Sequence, residues 1–341
     1  MTVAVELQAT IEQMVQLGKG ILAADESLPT IAKRFAAIKV EPTAENRLAY
    51  RTLLFTTPEL ENYICGVIAF EGTIAQTNDD GTPLINRLVW RGIVPGVKVD
   101  TGKGPLALSP GDLITSGLDG LAERLLRYKG QGARFAKWRN VYHISSRNPS
   151  PLGLTANAEM LARFAAVCQA HGVVPIVEPE VLMDGNHSLK KCAEVTEAVQ
   201  HEVFVALYRH QVALEHIVLK PNMVAQGAEH MSKASAEEIA EATLRVLRRT
   251  VPAAVPSINF LSGGMSPEAA TANLNALQVT SLNAPWALSF SFGRALQQPI
   301  LEAWQGRAEN LGLAQQALLK RARLNSVAQL GEYHPDMEST D

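Results

Sequence analysis

Cysteine is scarce in this chain: Cys65, Cys168 and Cys192 are the only three, an odd and scattered set. They make neither a disulfide framework nor a CxxC pair of the kind that holds zinc. Charge of one sign is not in excess. The 31 Lys and Arg against 34 Asp and Glu leave a net charge of -3, too little to draw the chain to nucleic acid or to an anionic membrane. No apolar run approaches the roughly 18 residues of a membrane span. The opening segment, residues 1–17, is amphipathic and carries Glu6 and Glu12, without the basic region and apolar core of a secretory leader. The eight histidines show no HxxxH or HxH spacing, so no metal is expected. Aromatic residues are only 6%; Trp90, Trp138, Trp286 and Trp304 are dispersed and lack a basic surround, which favours packing over a nucleic-acid platform. The expected setting is a reducing cytoplasm.

What the chain does have is a repeated unit. Ala4, Leu7, Ile11, Met14 and Val15 fall at helical spacing and predict an opening helix. Eight short apolar runs follow, at residues 20–25, 64–71, 94–100, 135–144, 173–180, 216–222, 257–262 and 287–291. All but the fourth end on a charged or polar residue, and each leads into loop chemistry and a helical stretch, the size of a strand plus its crossover helix. The helices carry their own punctuation: Ser235 with Glu238 as a capping box, Ser266-Pro267 as an N-cap followed by proline, and Gly172 closing the helix before it.

Eight strand-then-helix units with near-continuous apolar strands imply a parallel sheet covered by helices. An open doubly wound sheet usually announces itself with a Gly-rich first turn. Here that turn is Ala24-Asp25-Glu26-Ser27, so the α/β fold expected is a closed (β/α)8 TIM barrel with an additional N-terminal helix. No low-complexity linker divides it, and residues 1–330 are expected to form one domain. Residues 79–83 predict a turn, residues 101–117 a long Gly/Pro-rich loop, and the polar residues 331–341 a mobile tail.

In such a barrel the C-terminal strand ends converge on one mouth, where chemistry is placed. Those ends carry Asp25, Glu71, Lys98, Asp100, Lys137, Arg139, Glu178, Glu180, Lys220, Ser262 and Arg294. Any one of them could be a structural ion pair; so many charges on the tips of apolar strands favour an active site. Alternation puts Glu178 with Glu180, Lys137 with Arg139, and Lys98 with Asp100 on shared strand faces. Ile217, Val218 and Leu219 run straight into Lys220 and are stopped by Pro221, which cannot continue a ladder. Burial among apolar neighbours lowers a lysine's pKa, and the free amine can form a Schiff base with a carbonyl. Spacing alone leaves Lys98, Lys137 and Lys220 all open as that nucleophile. Ser262-Gly263-Gly264 and Gly293-Arg294 occupy the loops after strands seven and eight, the usual barrel site for a phosphate. Lys98, Lys137, Arg139 and Ser27 could hold a second anion across the mouth.

These segments resemble the class I fructose-bisphosphate aldolases, the metal-independent, Schiff-base family. The similarity runs from Lys19 to about Ser326 and is carried by GKGILAADES at 18–27, GVKVD at 96–100, FAKWR at 135–139, PIVEPE at 175–180, LKPNM at 219–223, FLSGG at 260–264 and SFSFGRA at 289–295. The resemblance implies reversible cleavage of fructose 1,6-bisphosphate, without cofactor, by a homotetramer. It makes Lys220 the Schiff-base lysine and Glu178 the acid/base, with Glu180 supporting it. Asp25 becomes the carboxylate near the carbon-4 hydroxyl and Lys137 the cation that stabilises charge beside it. Ser262, Gly263, Gly264, Ser291, Gly293 and Arg294 match the carbon-1 phosphate site. Ser27, Lys98 and Arg139 match positions toward the other phosphate, with Lys33 and Arg34 on its rim. Two departures stand out. The family's animal members end in a tyrosine, whereas this chain ends Glu338-Ser339-Thr340-Asp341, with Tyr333 nearby. Ser27 is followed by Leu28-Pro29-Thr30 where the family more often has Thr-Gly-Ser. The alternatives are the same chemistry on another ketose phosphate, such as sedoheptulose 1,7-bisphosphate or fructose 1-phosphate, or a non-catalytic scaffold.

Overall fold

Side chains alternate across a strand, so a strand buried on both faces needs apolar residues at successive positions. The eight runs have this property, and in the computed structural model, which describes residues 2–77 and 81–339, each forms a parallel strand. They are β1 (Gly20–Ala24), β2 (Ile64–Ala69), β3 (Val94–Lys98), β6 (Phe135–Tyr142), β7 (Val174–Val181), β8 (Val218–Leu219), β9 (Ser257–Phe260) and β10 (Ala287–Phe292). Hydrogen-bonded in the order β1-β10-β9-β8-β7-β6-β3-β2, they close into a barrel, with helices between successive strands as the pattern implies. The strand expected over 216–222 is the most curtailed. It pairs only at Val218–Leu219, because His216 belongs to the 3-10 turn Leu214–His216 and Pro221 has no N–H to donate. Lys220 still anchors the end of the strand, donating its N–H to the Val177 carbonyl at 2.8 Å.

Parity separates two cores. One row of each strand (Leu22, Ala24, Val67, Val97, Trp138, Val177, Leu219) faces outward against the helices. The other row (Ile21, Ala23, Ile68, Val94, Phe135, Val174, Ile176, Val218) fills the barrel, and the opening helix Val3–Met14 caps it from below with Leu7, Ile11 and Met14. Gly96 is part of this packing: a Cβ built on it would lie 2.1 Å from the Phe135 ring. Gly96→Ala is therefore expected to destabilise the fold by about 1–3 kcal/mol through overpacking, read as a lower urea midpoint with an unchanged m-value.

Two expectations are revised. Residues 101–117, expected as an irregular loop, contain an antiparallel hairpin, β4 (Gly102–Pro105) and β5 (Leu113–Ser116), in the register Lys103↔Thr115. Glycine and proline carry little strand propensity, so the hairpin left no local signal. The tail, expected to be mobile, is docked over the residues described. Tyr333 is 8% exposed and donates its N–H to Asn275 at 2.9 Å and its hydroxyl to Glu338 at 2.9 Å. Glu338 also receives Nη1 of Arg321 on both oxygens, at 2.6 and 2.8 Å. Arg321 is itself buried, and a buried guanidinium needs a carboxylate partner. The turn expected over 79–83 begins outside the described residues, as do Thr340 and Asp341. No described helix is long and apolar enough to cross a membrane.

Candidate active site

The row that fills the barrel turns from apolar to charged toward the C-terminal ends of the strands. Beyond Ile21 and Ala23 comes Asp25; beyond Phe135 come Lys137 and Arg139; beyond Ile176 come Glu178 and Glu180; beyond Val218 comes Lys220. Strand pairing brings these residues level, with Lys98 opposite Lys137 and Arg139 opposite Glu178. The result is a buried chain of ion pairs. Lys137 Nζ lies 2.6 Å from Asp25 and 3.1 Å from Glu178, and Lys220 Nζ lies 3.1 Å from the other oxygen of Glu178. The side chains of Lys137, Glu178 and Lys220 are each under 5% exposed, and Asp25 is the most open of the four at 15%.

The electrostatics separate the two central lysines. Burial would drive the Lys137 ammonium toward neutrality, but the carboxylates of Asp25, Glu178 and Asp100 outweigh it and raise its pKa; Lys137 stays cationic. Burial likewise opposes ionisation of Asp25 and Glu178. Lys137 first and Lys220 second overcome it, and both acids are held below the usual carboxylate range. Lys220 has no second carboxylate within ion-pair distance among the described residues. Glu178 is thus shared between a lysine locked as a cation and one for which it is the sole acid partner.

Two further pairs rim the mouth. Lys98 Nζ meets Asp100 at 2.6 Å, and Arg139 Nε meets Glu180 at 2.5 Å. The hairpin is tied here, since Thr115 donates its hydroxyl to the Arg139 carbonyl at 2.8 Å. Asn222 fixes the loop after β8, accepting the Val181 N–H at 3.0 Å. Glu71, counted among the strand ends, is exposed at the start of the short helix Glu71–Ile74 and takes the Tyr128 hydroxyl at 2.7 Å instead.

Ser27 holds the N-cap position of the helix Leu28–Ala37 without a side-chain capping bond, its hydroxyl 3.0 Å from that of Thr30, and Lys33 stands exposed on that helix. Arg34 is drawn inward by Glu26, a residue that sequence reasoning passed over. Glu26 is buried and holds Arg34, Arg51 at 2.6 Å and the Gln297 amide at 2.7 Å. Gln297 also donates to the Ala23 carbonyl at 2.7 Å, so this network braces the end of β1 next to Asp25. The signal available was an acidic residue at the end of an apolar strand, a signal that Asp25 beside it shares. Burial raises the Glu26 pKa, yet Arg34 and Arg51 carry it below its ordinary 4.5. The stabilisation is therefore full above that value and is lost as pH falls through the lowered folded pKa. Glu26→Gln is expected to cost about 3–5 kcal/mol at pH 7 by leaving buried arginines without a counter-charge. Urea titrations at pH 7 and at pH 3.5 should show that difference narrowing in acid.

Opposite this corner, the loops after β9 and β10 form a second feature. Gly263 adopts φ +53°, the left-handed region that favours glycine. Its carbonyl accepts Nη2 of Arg294 at 2.5 Å. Arg294 opens the helix Arg294–Trp304, for which Gly293 is the N-cap. Gly264 packs beside the Arg294 guanidinium, where a Cβ would lie 3.7 Å from Nη2. The Ser291 hydroxyl is buried with no hydrogen-bond partner among the described residues, and Ser262 is buried beside the same loop. Backbone N–H groups at a helix N-terminus, an arginine and an unused hydroxyl together suit an anion. Arg34, expected on the rim of the other phosphate, has its guanidinium near Gly293 on this side. Among the described residues no cluster of His, Cys, Asp and Glu is arranged to hold a metal ion.

The family model described as class-I fructose-bisphosphate aldolase matches residues 6–341. Similar proteins include the non-muscle fructose-bisphosphate aldolase of Lethenteron camtschaticum, 53% identical over 97% of this chain and 91% of that protein. Fructose-bisphosphate aldolase 6, cytosolic, of Arabidopsis thaliana is 53% identical over 97% and 92%. A solved structure of the Plasmodium falciparum aldolase, in complex with TRAP and a small-molecule inhibitor, superposes with a TM-score of 0.95 at 49% identity, covering 97% of this chain and 96% of that one. Across a barrel with its charges gathered at one mouth, and over nearly its full length, this chain belongs to the class-I fructose-bisphosphate aldolase family.

Proposed function

We propose that Lys220 forms a Schiff base with the carbon-2 carbonyl of fructose 1,6-bisphosphate, and that cleavage between carbons 3 and 4 yields dihydroxyacetone phosphate and glyceraldehyde 3-phosphate, reversibly. The observation that carries this reading is Glu178 bridging Lys137 and Lys220 at 3.1 Å from each. As the carbonyl approaches, Lys220 passes a proton to Glu178 and attacks as a free amine. Glu178, now protonated, returns that proton to the carbinolamine hydroxyl, which leaves as water. Lys137 cannot substitute as nucleophile because Asp25 and Glu178 together keep it charged.

Asp25 is held ionised by Lys137 and takes the proton of the carbon-4 hydroxyl. As the C4–O bond becomes a carbonyl, the C3–C4 electron pair moves into the protonated imine and leaves an enamine. Lys137, 2.6 Å from Asp25, stabilises the charge that passes through this oxygen. Glyceraldehyde 3-phosphate departs; the enamine takes a proton at carbon 3 and hydrolysis frees dihydroxyacetone phosphate. Ser262, Gly263, Gly264, Ser291, Gly293 and Arg294 hold the carbon-1 phosphate, and Ser27, Lys33, Lys98 and Arg139 serve the carbon-6 end. Arg34 works from the carbon-1 side, where it lies near Gly293. The binding energy of both phosphates keeps the open-chain sugar aligned for reaction. Glu180 positions Arg139 through its 2.5 Å ion pair.

The test is reduction with borohydride in the presence of dihydroxyacetone phosphate, followed by peptide mass mapping. A triose phosphate adduct on Lys220 supports the assignment, and an adduct on Lys137 or Lys98 overturns it. Loss of turnover on adding a chelator would remove the Schiff-base reading altogether. The chain is further read as a cytoplasmic homotetramer, by resemblance to its family and to relatives named as cytosolic. Light scattering after gel filtration gives four copies or rejects them.

A further inference from the structure

We propose that Lys103, in the middle of the β4–β5 hairpin, binds the phosphate at the carbon-6 end of the sugar and sets a preference for ketoses phosphorylated at both ends. This rests on the lyase reading above and adds to it a cation from outside the barrel strands. The hairpin register supplies the first argument. Lys103 is paired directly with Thr115, and opposed residues of an antiparallel pair project from the same face. The direction of that face is known: the Thr115 side chain is 2% exposed and bonds to the Arg139 carbonyl on β6. Lys103 therefore leaves the hairpin on the side of the barrel mouth, above Arg139.

The second argument is its lack of a partner. Lys98 is held by Asp100, Arg139 by Glu180, Lys137 by Asp25 and Glu178, and Arg34 by Glu26. An anion gains less from a cation already paired in this way than from an unpaired one. Lys103 makes no hydrogen bond or ion pair among the described residues, and it lies within electrostatic reach of Arg139, Glu180 and Asp184. Partial burial, and then the charge of Arg139, lower its pKa against the opposing pull of the Glu180 and Asp184 carboxylates, so the positive charge of Arg139 is felt at Lys103. A phosphate carrying close to two negative charges that reaches Lys103 beside the part-exposed, Glu180-paired Arg139 guanidinium gives Lys103 the counter-charge it lacks. The Ser262–Gly264 and Arg294 features belong to a different loop pair, so the effect falls on one end of the substrate.

The experiment compares wild type, Lys103→Met and Lys103→Arg on fructose 1,6-bisphosphate and on fructose 1-phosphate. In Lys103→Met the ratio of kcat/KM on the bisphosphate to that on the monophosphate is expected to fall about tenfold, mainly through KM on the bisphosphate. That fall should shrink as salt is raised, because a part-exposed charge is screened. Lys103→Arg should restore most of the ratio. A ratio unchanged in Lys103→Met overturns the inference while leaving the lyase reading intact. So does an equal loss on both sugars, which would mark a structural role for the hairpin. If wild type cleaves neither sugar, the lyase reading falls first and the role of Lys103 with it.

Discussion

Lys220→Met is expected to lower kcat on fructose 1,6-bisphosphate by about 10⁴-fold or more, the scale on which loss of a covalent nucleophile is felt. KM should move much less, because both phosphate regions are built from other segments. The side chain is 3% exposed, and methionine keeps an unbranched chain of similar length, so the fold should survive. Glu178 would retain Lys137 at 3.1 Å; the variant loses the amine without stranding a carboxylate. Borohydride trapping with dihydroxyacetone phosphate should fail at the same time. Steady-state kinetics beside the trapping assay make the test sharp. A variant that still turns over within a hundredfold of wild type would show that carbon–carbon cleavage here does not pass through this lysine.

Lys137→Met should damage both stability and chemistry, because it acts on two quantities at once. Asp25 and Glu178 would lose the charge that holds each of them below the usual carboxylate range. A buried ion-pair network broken on one side typically costs 3–5 kcal/mol, and a loss of about that size is expected in urea unfolding at pH 7. The sign with pH follows from the lowered carboxylate pKa values. Their contribution is complete above the ordinary range near 4 and drains away as pH falls through the lowered folded values. The gap between wild type and Lys137→Met should therefore close in acid. On the chemistry, kcat should fall by roughly 10²–10⁴-fold, while borohydride still labels Lys220, if slowly. The double variant Asp25→Asn, Lys137→Met should regain part of the stability, since the residual charge is then smaller, and none of the activity. Labelling abolished by Lys137→Met alone, in a folded protein, would exchange the roles given to the two lysines.

Much of this site could be read before any fold was in hand, for a local reason. A strand that fills a barrel and ends at its mouth must be apolar below and chemical above, and that change occurs within single short segments. FAKWR at 135–139 and PIVEPE at 175–180 carry it within their own length. The Ser-Gly-Gly and Gly-Arg pairs were legible because a glycine in a loop followed by a helix start is also a local pattern. Gly263 at φ +53° is its structural counterpart.

Glu26 was not legible, since its partners Arg34, Arg51 and Gln297 come from three helices and its role appears only when those helices pack. The hairpin at Gly102–Pro105 and Leu113–Ser116 was hidden in a Gly/Pro-rich composition that reads as loop. Lys103 gained meaning only from its register with Thr115. The docked tail depends on Arg321, a cation buried in another element, finding Glu338.

Sequence by itself determined where the eight strands lie, which side chains point into the barrel, and that charge collects where the strands stop, because each of these is a short-range pattern of residue type. Which carboxylate meets which ammonium was left to the tertiary structure. That choice is made by inter-strand register and by barrel closure, which set Asp25, Lys137, Glu178 and Lys220 within about 3 Å of one another in sequence-distant pairs. Nothing in a local pattern encodes the pairing that lets Lys137 keep its proton while leaving Lys220 an acid with which to exchange one.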